Sequence, residues 1–278
     1  MLCGKKIFLL FSFLLIETTF LFALDPEKSI AQYGQTTWQR KNGLPSNAVN
    51  VVLQTHDGYV WLGTSAGLFR FDGVSFTKMN INKEGTMSYE GVVSLCEASD
   101  GSLWIGTAYD GLRQLKNGTV KHYGKNEGFF DTQVKEILET RTKKFLIGTS
   151  IGVFLFDHDK FIPFFNNPNF ITALAQDSSG NVWIGTHVGV YMVTDDAQRH
   201  VFHLSMQTGL PNDNIQTVYI DHHANVWIGT ADGLSRWKNR ALKNFTIADG
   251  LPNVHINALY QDRNDNLWVG TQGGLCRY

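Results

Sequence analysis

The chain has 278 residues, 43% of them apolar and 18% charged, so it can bury a core without help from a metal or a partner. Its formal net charge is −1 at pH 7. That balance argues against a nucleic-acid-binding protein or one that adheres to an anionic membrane, because both need a basic face.

The N-terminus has the layout of a secretory signal. Lys5 and Lys6 precede an apolar run over residues 7–16, and Ala23 follows a short neutral stretch. We therefore expect a signal peptide over residues 1–23 and a mature protein over residues 24–278. The rival interpretation is an uncleaved membrane anchor, but Glu17 interrupts the run, which is short for a membrane span.

A six-fold internal repeat dominates the rest of the chain. Each copy contains an apolar residue followed by Gly-Thr, and a large apolar residue precedes it; these anchors lie 43, 42, 37, 44 and 41 residues apart. A fixed period near forty residues is typical of solenoids, propellers and arrays. The anchors are Trp61, Trp104, Leu146, Trp183, Trp227 and Trp268, and the glycines are Gly63, Gly106, Gly148, Gly185, Gly229 and Gly270.

Each repeat is predicted to form four antiparallel strands. A β-branched run precedes each anchor, and turn formers such as Asp57-Gly58 separate the two, which indicates a hairpin. A second glycine after Gly-Thr, Gly67 in the first copy, opens a third run, and a fourth follows Asp72-Gly73. Four strands per forty-odd residues make one blade of a β-propeller, so we expect an all-β propeller of six four-stranded blades.

The Trp positions recur once per blade, so we interpret them as packing between neighbouring blades and not as a cofactor site. Two arrangements of the six blades are possible, a closed ring and an open arc. The segment from Gln35 to Arg40 stands where other repeats have their fourth strand and could complete the last blade. Alternatively, the six blades are an open arc of a longer protein, truncated after Tyr278.

Residues 43–73 resemble the two-component regulator propeller repeat. The resemblance rests on Gly43-Leu44-Pro45, on Trp61-Leu62-Gly63-Thr64 with the residues before it, and on Gly67 to Gly73, and it extends over all six repeats. It implies the periplasmic sensing region of an inner-membrane histidine kinase, hybrid kinase or diguanylate cyclase. Its output domain and any dimer contacts would belong to the full receptor, so kinase or cyclase activity is not expected of these residues.

The loops between the second and third strands are the predicted ligand-binding site. Propeller geometry places these loops around the mouth of the central channel, and a concave mouth with a few polar groups suits a small molecule or an oligosaccharide. The alternative is that these side chains are solvated loop residues with no role in binding. The varied polar or aromatic residues of these loops are Tyr109, Asp110, His187, Asp232 and Gln272.

Two other functions stay open. A secreted propeller lyase or hydrolase would need His187, Asp110 and Asp232 to converge on the channel. A protein-docking scaffold would use the third and fourth repeats, where Leu146 replaces Trp and Thr142-Lys143-Lys144 and Asn167-Pro168-Asn169 replace the usual turns. No nucleophile elbow, phosphate loop or metal-binding spacing occurs in the sequence, so neither catalysis nor a cofactor is predicted.

Overall fold

A computed structural model describes residues 37–81, 91–124, 127–129, 133–166 and 169–278. Residues 39–278 form one compact unit and residues 1–38 a second, of which only Thr37 and Trp38 are described. The predicted signal peptide therefore lies outside the described residues. Within the described part of the chain, no helix is long and apolar enough to cross a membrane.

The first three blades are four-stranded antiparallel sheets whose strands follow chain order. Blade one consists of β1 to β4, at Val49–Gln54, Val60–Thr64, Gly67–Phe71 and Phe76–Met79. Blade two consists of β5 to β8, at Val92–Glu97, Leu103–Thr107, Leu112–Lys116 and Thr119–Tyr123. Blade three consists of β9 to β12, at Val134–Glu139, Phe145–Thr149, Gly152–Asp157 and Lys160–Asn166.

The next two blades repeat this order, and the last has three strands among the described residues. Blade four consists of β13 to β16, at Ile171–Gln176, Val182–Thr186, Gly189–Val193 and Val201–Leu204. Blade five consists of β17 to β20, at Ile215–Ile220, Val226–Thr230, Gly233–Lys238 and Ala241–Phe245. Blade six consists of β21 to β23, at Ile256–Gln261, Leu267–Thr271 and Gly274–Arg277. The predicted six-bladed all-β propeller is confirmed.

The Gly-Thr-x-x-Gly motif builds the tight turn between the second and third strands. In blade five, the Thr230 hydroxyl donates to the Gly233 carbonyl at 2.8 Å and accepts from the Asp232 amide at 3.1 Å. Gly233 adopts a φ of 141°, which favours glycine. The same threonine-to-glycine hydrogen bond occurs in all six blades, at Thr64, Thr107, Thr149, Thr186, Thr230 and Thr271.

Short 3-10 turns explain the Gly-Leu-Pro motif. One turn, Met206–Thr208, ends at Gly209 with a φ of 111°, and another, Ile247–Asp249, ends at Gly250 with a φ of 101°. The following leucines are buried. Each motif therefore ends a 3-10 turn and inserts one leucine into the core before the next blade begins.

Successive blades pack through a glycine that faces an aliphatic side chain of the next blade. A Cβ added at Gly229 would lie 2.7 Å from Ile256 Cγ2, which leaves no room for a side chain. Equivalent close approaches join Gly63 to Val92, Gly106 to Val134, Gly148 to Ile171 and Gly185 to Ile215. These five aliphatic residues are all 0% exposed, so this contact is the centre of each interface between blades.

The Trp residues pack across the same interfaces. Trp104 contacts Phe145 and Phe156 of the next blade, with ring centroids 4.4 and 5.2 Å apart. Trp183 approaches Trp237 of the next blade at 6.4 Å. The four Trp side chains of blades one, two, four and five are buried. These contacts place Trp104 and Trp183 between neighbouring blades.

The turns at the opposite end of the blades add a second link, which the sequence analysis missed. A backbone amide in the first hairpin turn of one blade donates to a Glu or Gln side chain at the end of the next blade's first strand. The signal was a Glu or Gln seven residues before the anchor in five of the six repeats; blade five has Ile220 there. The pairs are His56 to Glu97, Ser99 to Glu139, Arg141 to Gln176 and His222 to Gln261.

Blades one and six differ from the others because their outer faces lack this packing. Among the described residues, a Cβ at Gly270 would meet nothing closer than Ala258 of its own blade, at 3.7 Å. Val49, the counterpart of Val92 in blade one, is 36% exposed. Within residues 39–278, as far as they are described, no packing comparable to the other interfaces joins β21 to β1. Among the described residues, blades six and one are therefore not joined by the packing that joins the other neighbouring blades.

The fourth strand expected for blade six is not seen where the structure can be described. Gln35 and the residue after it lie outside the described residues, residues 37–39 are not in a strand, and Arg40–Asn42 forms a 3-10 turn. That turn precedes Gly43 just as Met206–Thr208 precedes Gly209. The segment therefore forms the same 3-10 turn that the repeat has before other Gly-Leu-Pro motifs. Closure of the ring by a strand of this segment stays a prediction.

Candidate functional site

The five predicted mouth residues lie in the turns between second and third strands, and all five are exposed. The side chain of Asp110 forms an ion pair with the buried Arg113 of its own blade. Tyr109, Asp232 and Gln272 stand on separate blades, so the mouth is a ring of dispersed groups and their role in binding stays a prediction.

His187 contacts Phe170, the residue directly before the first strand of blade four. Its ring stacks on Phe170, with centroids 5.9 Å apart. Lys135 belongs to β9 of blade three, and its ammonium lies 5.5 Å from the centre of the same Phe170 ring. This cluster joins blades three and four next to the first strands that line the channel.

A cavity of about 320 Å³ opens among the first strands of blades three to six. This volume lies at the lower end of the range for sites that bind small molecules. Each of these first strands contains a β-bulge one residue after its start, and in blades four to six the bulged residue lines the cavity. The polar side chains that line the cavity are Glu136, Thr172, Gln216, Thr217, Tyr219 and Asn257.

Glu136 is the one carboxyl group among the residues that line this cavity. Burial raises its pKa from 4.5 to about 7, and a backbone hydrogen bond from Ile137 opposes that rise only in part. The carboxyl is therefore partly protonated near neutral pH. The sequence analysis did not identify Glu136 as a site residue, because the sequence does not show which residues of the first strands line a cavity.

The repeat itself shows that Glu136 is unusual. It lies ten residues before the anchor, in register with Gly148 and beside the interface with blade four. The five other blades carry a neutral residue at this position: Val51, Ser94, Ala173, Thr217 and Ala258. A carboxyl group is thus not needed to build a blade, and its presence at this point of the channel requires another explanation.

The arrangement required for catalysis is not formed by the predicted residues. The side chain of Asp110 is engaged with Arg113, and that of His187 with Phe170. Among the described residues, no group of three or more His, Cys, Asp or Glu side chains is placed to hold a metal ion. The channel therefore offers a binding cavity with one titratable acid and several neutral hydrogen-bonding groups.

Comparison with protein families identifies the repeat. The family described as "Two component regulator propeller" matches residues 43–66, 86–109, 167–187 and 250–273. The chain carries repeats of this family, and the resemblance found in the sequence is confirmed. A search among curated proteins found no match.

Solved structures share the same architecture. The extracellular domain of the hybrid two component system BT3049 from B. thetaiotaomicron is 25% identical, with a TM-score of 0.70 over 84% of this chain and 34% of that one. PorZ, a surface component of the type-IX secretion system of Porphyromonas gingivalis, is 15% identical, with a TM-score of 0.65 over 82% of this chain and 38% of that one. The chain spans about a third of the length of these two relatives.

Enzymes also appear among the structural neighbours. Virginiamycin B lyase from Staphylococcus aureus is 13% identical, with a TM-score of 0.65 over 83% of this chain and 84% of that one. At this identity the likeness shows the fold alone. The family match and the likeness to the extracellular domain of BT3049 together support a propeller of the sensor type.

Proposed function

We propose that this chain is the ligand-sensing input module of a membrane-bound signalling receptor, acting in the periplasm. The observation that carries the proposal is the family match joined to the likeness to the extracellular domain of a hybrid two component system. The ligand is a small molecule or an oligosaccharide, and binding shifts the receptor between two states by its different affinity for each. The propeller binds and does not catalyse.

The open faces of blades one and six support a parent protein with more blades. An exposed Val49 and an unfilled space at Gly270 are the two halves of one more interface of the kind that joins all other blades. A further blade on either face would bury apolar surface that the six blades leave exposed. The parent protein would then supply the rest of the propeller, the membrane segment and the kinase or cyclase domain.

The reading frame of the gene tests this proposal. We expect it to continue past the codon for Tyr278 into further propeller repeats, a membrane-spanning segment and an output domain. Deleting residues 43–278 from that receptor should abolish the response to its stimulus while leaving the output domain folded. A stop codon directly after Tyr278, in a strain whose secreted chain has no membrane-bound partner, would contradict the proposal.

Fractionation tests the location. A C-terminally tagged chain should be recovered from the periplasm, with a mature N-terminus at Leu24 by mass spectrometry. A variant with Lys5 and Lys6 changed to Glu should be retained in the cytoplasm, because the positive region guides export. Recovery of the unchanged chain from the cytoplasm, with Met1 intact, would refute export.

A further inference from the structure

We propose that the channel cavity binds a small organic cation, with Glu136 as its counter-charge and the neutral polar side chains of blades four to six as hydrogen-bonding partners. The inference adds to the proposed function the charge of the ligand and the location of its binding site. It rests on that function only for its biological meaning. The site is distinct from the predicted ring of mouth residues.

Glu136 holds a position that the other blades fill without a charged residue. The other five blades build the same contact with Val, Ser, Ala, Thr and Ala. A carboxyl group beside the interface between blades three and four costs stability when it ionises, because the surroundings are desolvated. A costly group that the fold does not need, and that faces a cavity, is characteristic of a binding site.

The described residues around Glu136 provide no cation to balance its charge. Lys135, the neighbour in sequence, places its ammonium over the Phe170 ring. The strands packed against β9 are β5, β6, β10 and β13, and none of them contains Lys, Arg or His. The titratable groups near Glu136 on its own and neighbouring first strands are otherwise acids or weak acids: Glu139, Cys96, Glu97 and Tyr219. A ligand ammonium would supply the missing charge.

Neutral polar groups line the same cavity. Gln216 and Asn257 occupy the bulge positions of β17 and β21, and Thr172 occupies that of β13. The Thr172 hydroxyl is buried, with no hydrogen-bond partner among the described residues. An amide and a hydroxyl can each donate and accept, so these groups suit a ligand that carries hydroxyl or amide groups beside its ammonium.

A direct binding measurement on the full chain tests the inference. The probes are two matched pairs in which an ammonium replaces a hydroxyl: ethanolamine against ethylene glycol, and glucosamine against glucose. We expect each amine to bind about tenfold or more tightly than its neutral analogue, as measured by NMR titration or calorimetry. Amine affinity should fall as the pH is lowered, because protons compete for Glu136, and a bound amine should lower the pKa of the Glu136 carboxyl in a ¹³C NMR titration.

Substitutions locate the effect. Glu136→Gln should weaken amine binding about tenfold or more and remove its pH dependence, whereas Glu139→Gln, on the same strand but bonded to Ser99 at the far end, should change it less than about twofold. Glu136→Ala is a second variant that should fold, because Ala173 and Ala258 occupy the same position in their blades.

Three results would overturn the inference. They are failure of both amines to bind, equal binding of amines and neutral analogues, and amine binding that survives in both Glu136 variants. These results would leave the proposed sensor function standing, because that function is tested by the gene and by the response of the receptor. Conversely, a chain that proves not to belong to a receptor could still bind amines in this cavity.

Discussion

Glu136 shows how a single side chain can stand apart from a repeat that otherwise follows packing rules. Its neighbours in the channel are neutral, and burial raises its pKa to about 7. The cost of that shift falls on the folded state, because the unfolded chain would ionise the same carboxyl at its ordinary pKa of 4.5.

Replacing Glu136 with Ala should therefore stabilise the protein in a pH-dependent manner. The folded-state pKa lies above the unfolded value, so the penalty is absent below pH 4.5, grows as the pH rises and is complete above about 7. The whole pKa shift would correspond to roughly 3 kcal/mol, and the effect should be smaller because Glu136 keeps part of its solvent exposure. Urea unfolding of both proteins at pH 4, 6 and 8 measures it.

Glu136→Gln serves as the control for the loss of side-chain volume. Both variants should exceed the parent protein at pH 8 and approach it at pH 4. A stability difference that is constant over this range would mean that the carboxyl is solvated in the folded protein.

The sequence shows that Glu136 is the one charged residue of its column, but not that this column lines a cavity. Its column contains Val, Ser, Glu, Ala, Thr and Ala, which have neither a common hydrophobicity nor a common size. The columns that do carry a signal, such as Trp and Gly, are those where packing allows one shape. A position that faces a cavity is free to vary, so it emerges only when the strands are assembled.

At the scale of the element, the turn between the second and third strands depends on one hydroxyl. Thr230 is fully buried, and its Oγ1 takes part in two hydrogen bonds that close the turn. The motif fixes this geometry in every blade, which is why the four-stranded unit could be predicted correctly. Even blade three keeps it, although Leu146 replaces Trp and a Gly turn is missing.

Thr230→Val should destabilise the protein by about 1–3 kcal/mol, because the valine preserves the shape but leaves the Gly233 carbonyl and the Asp232 amide unsatisfied. The matched control is Thr271→Val in blade six, where the same turn is more exposed and water can replace the hydroxyl. Thermal and urea unfolding should rank the two variants in this order. Equal losses would mean that burial does not set the strength of the turn.

At the scale of the whole molecule, the sequence left closed ring and open arc as alternatives. The repeat determines what one blade contacts in the next, but the number of blades in a turn depends on small angles between sheets that no residue type encodes. The five interfaces between successive blades follow one packing pattern. Among the described residues, blades six and one do not form a sixth interface of this kind.

A pair of glycine substitutions distinguishes these two architectures in solution. Gly229→Ala should destabilise the chain by about 1–3 kcal/mol, because the new Cβ would meet Ile256 Cγ2 and Thr217 Cγ2, each at 2.7 Å. Gly270→Ala should be nearly neutral, because its nearest neighbour would be Ala258 at 3.7 Å. In a longer parent protein with a further blade on this face, Gly270→Ala should become as harmful as Gly229→Ala. If Gly270→Ala is already as harmful in the 278-residue chain, its own N-terminal segment covers the face, and removing residues 24–36 should abolish the effect.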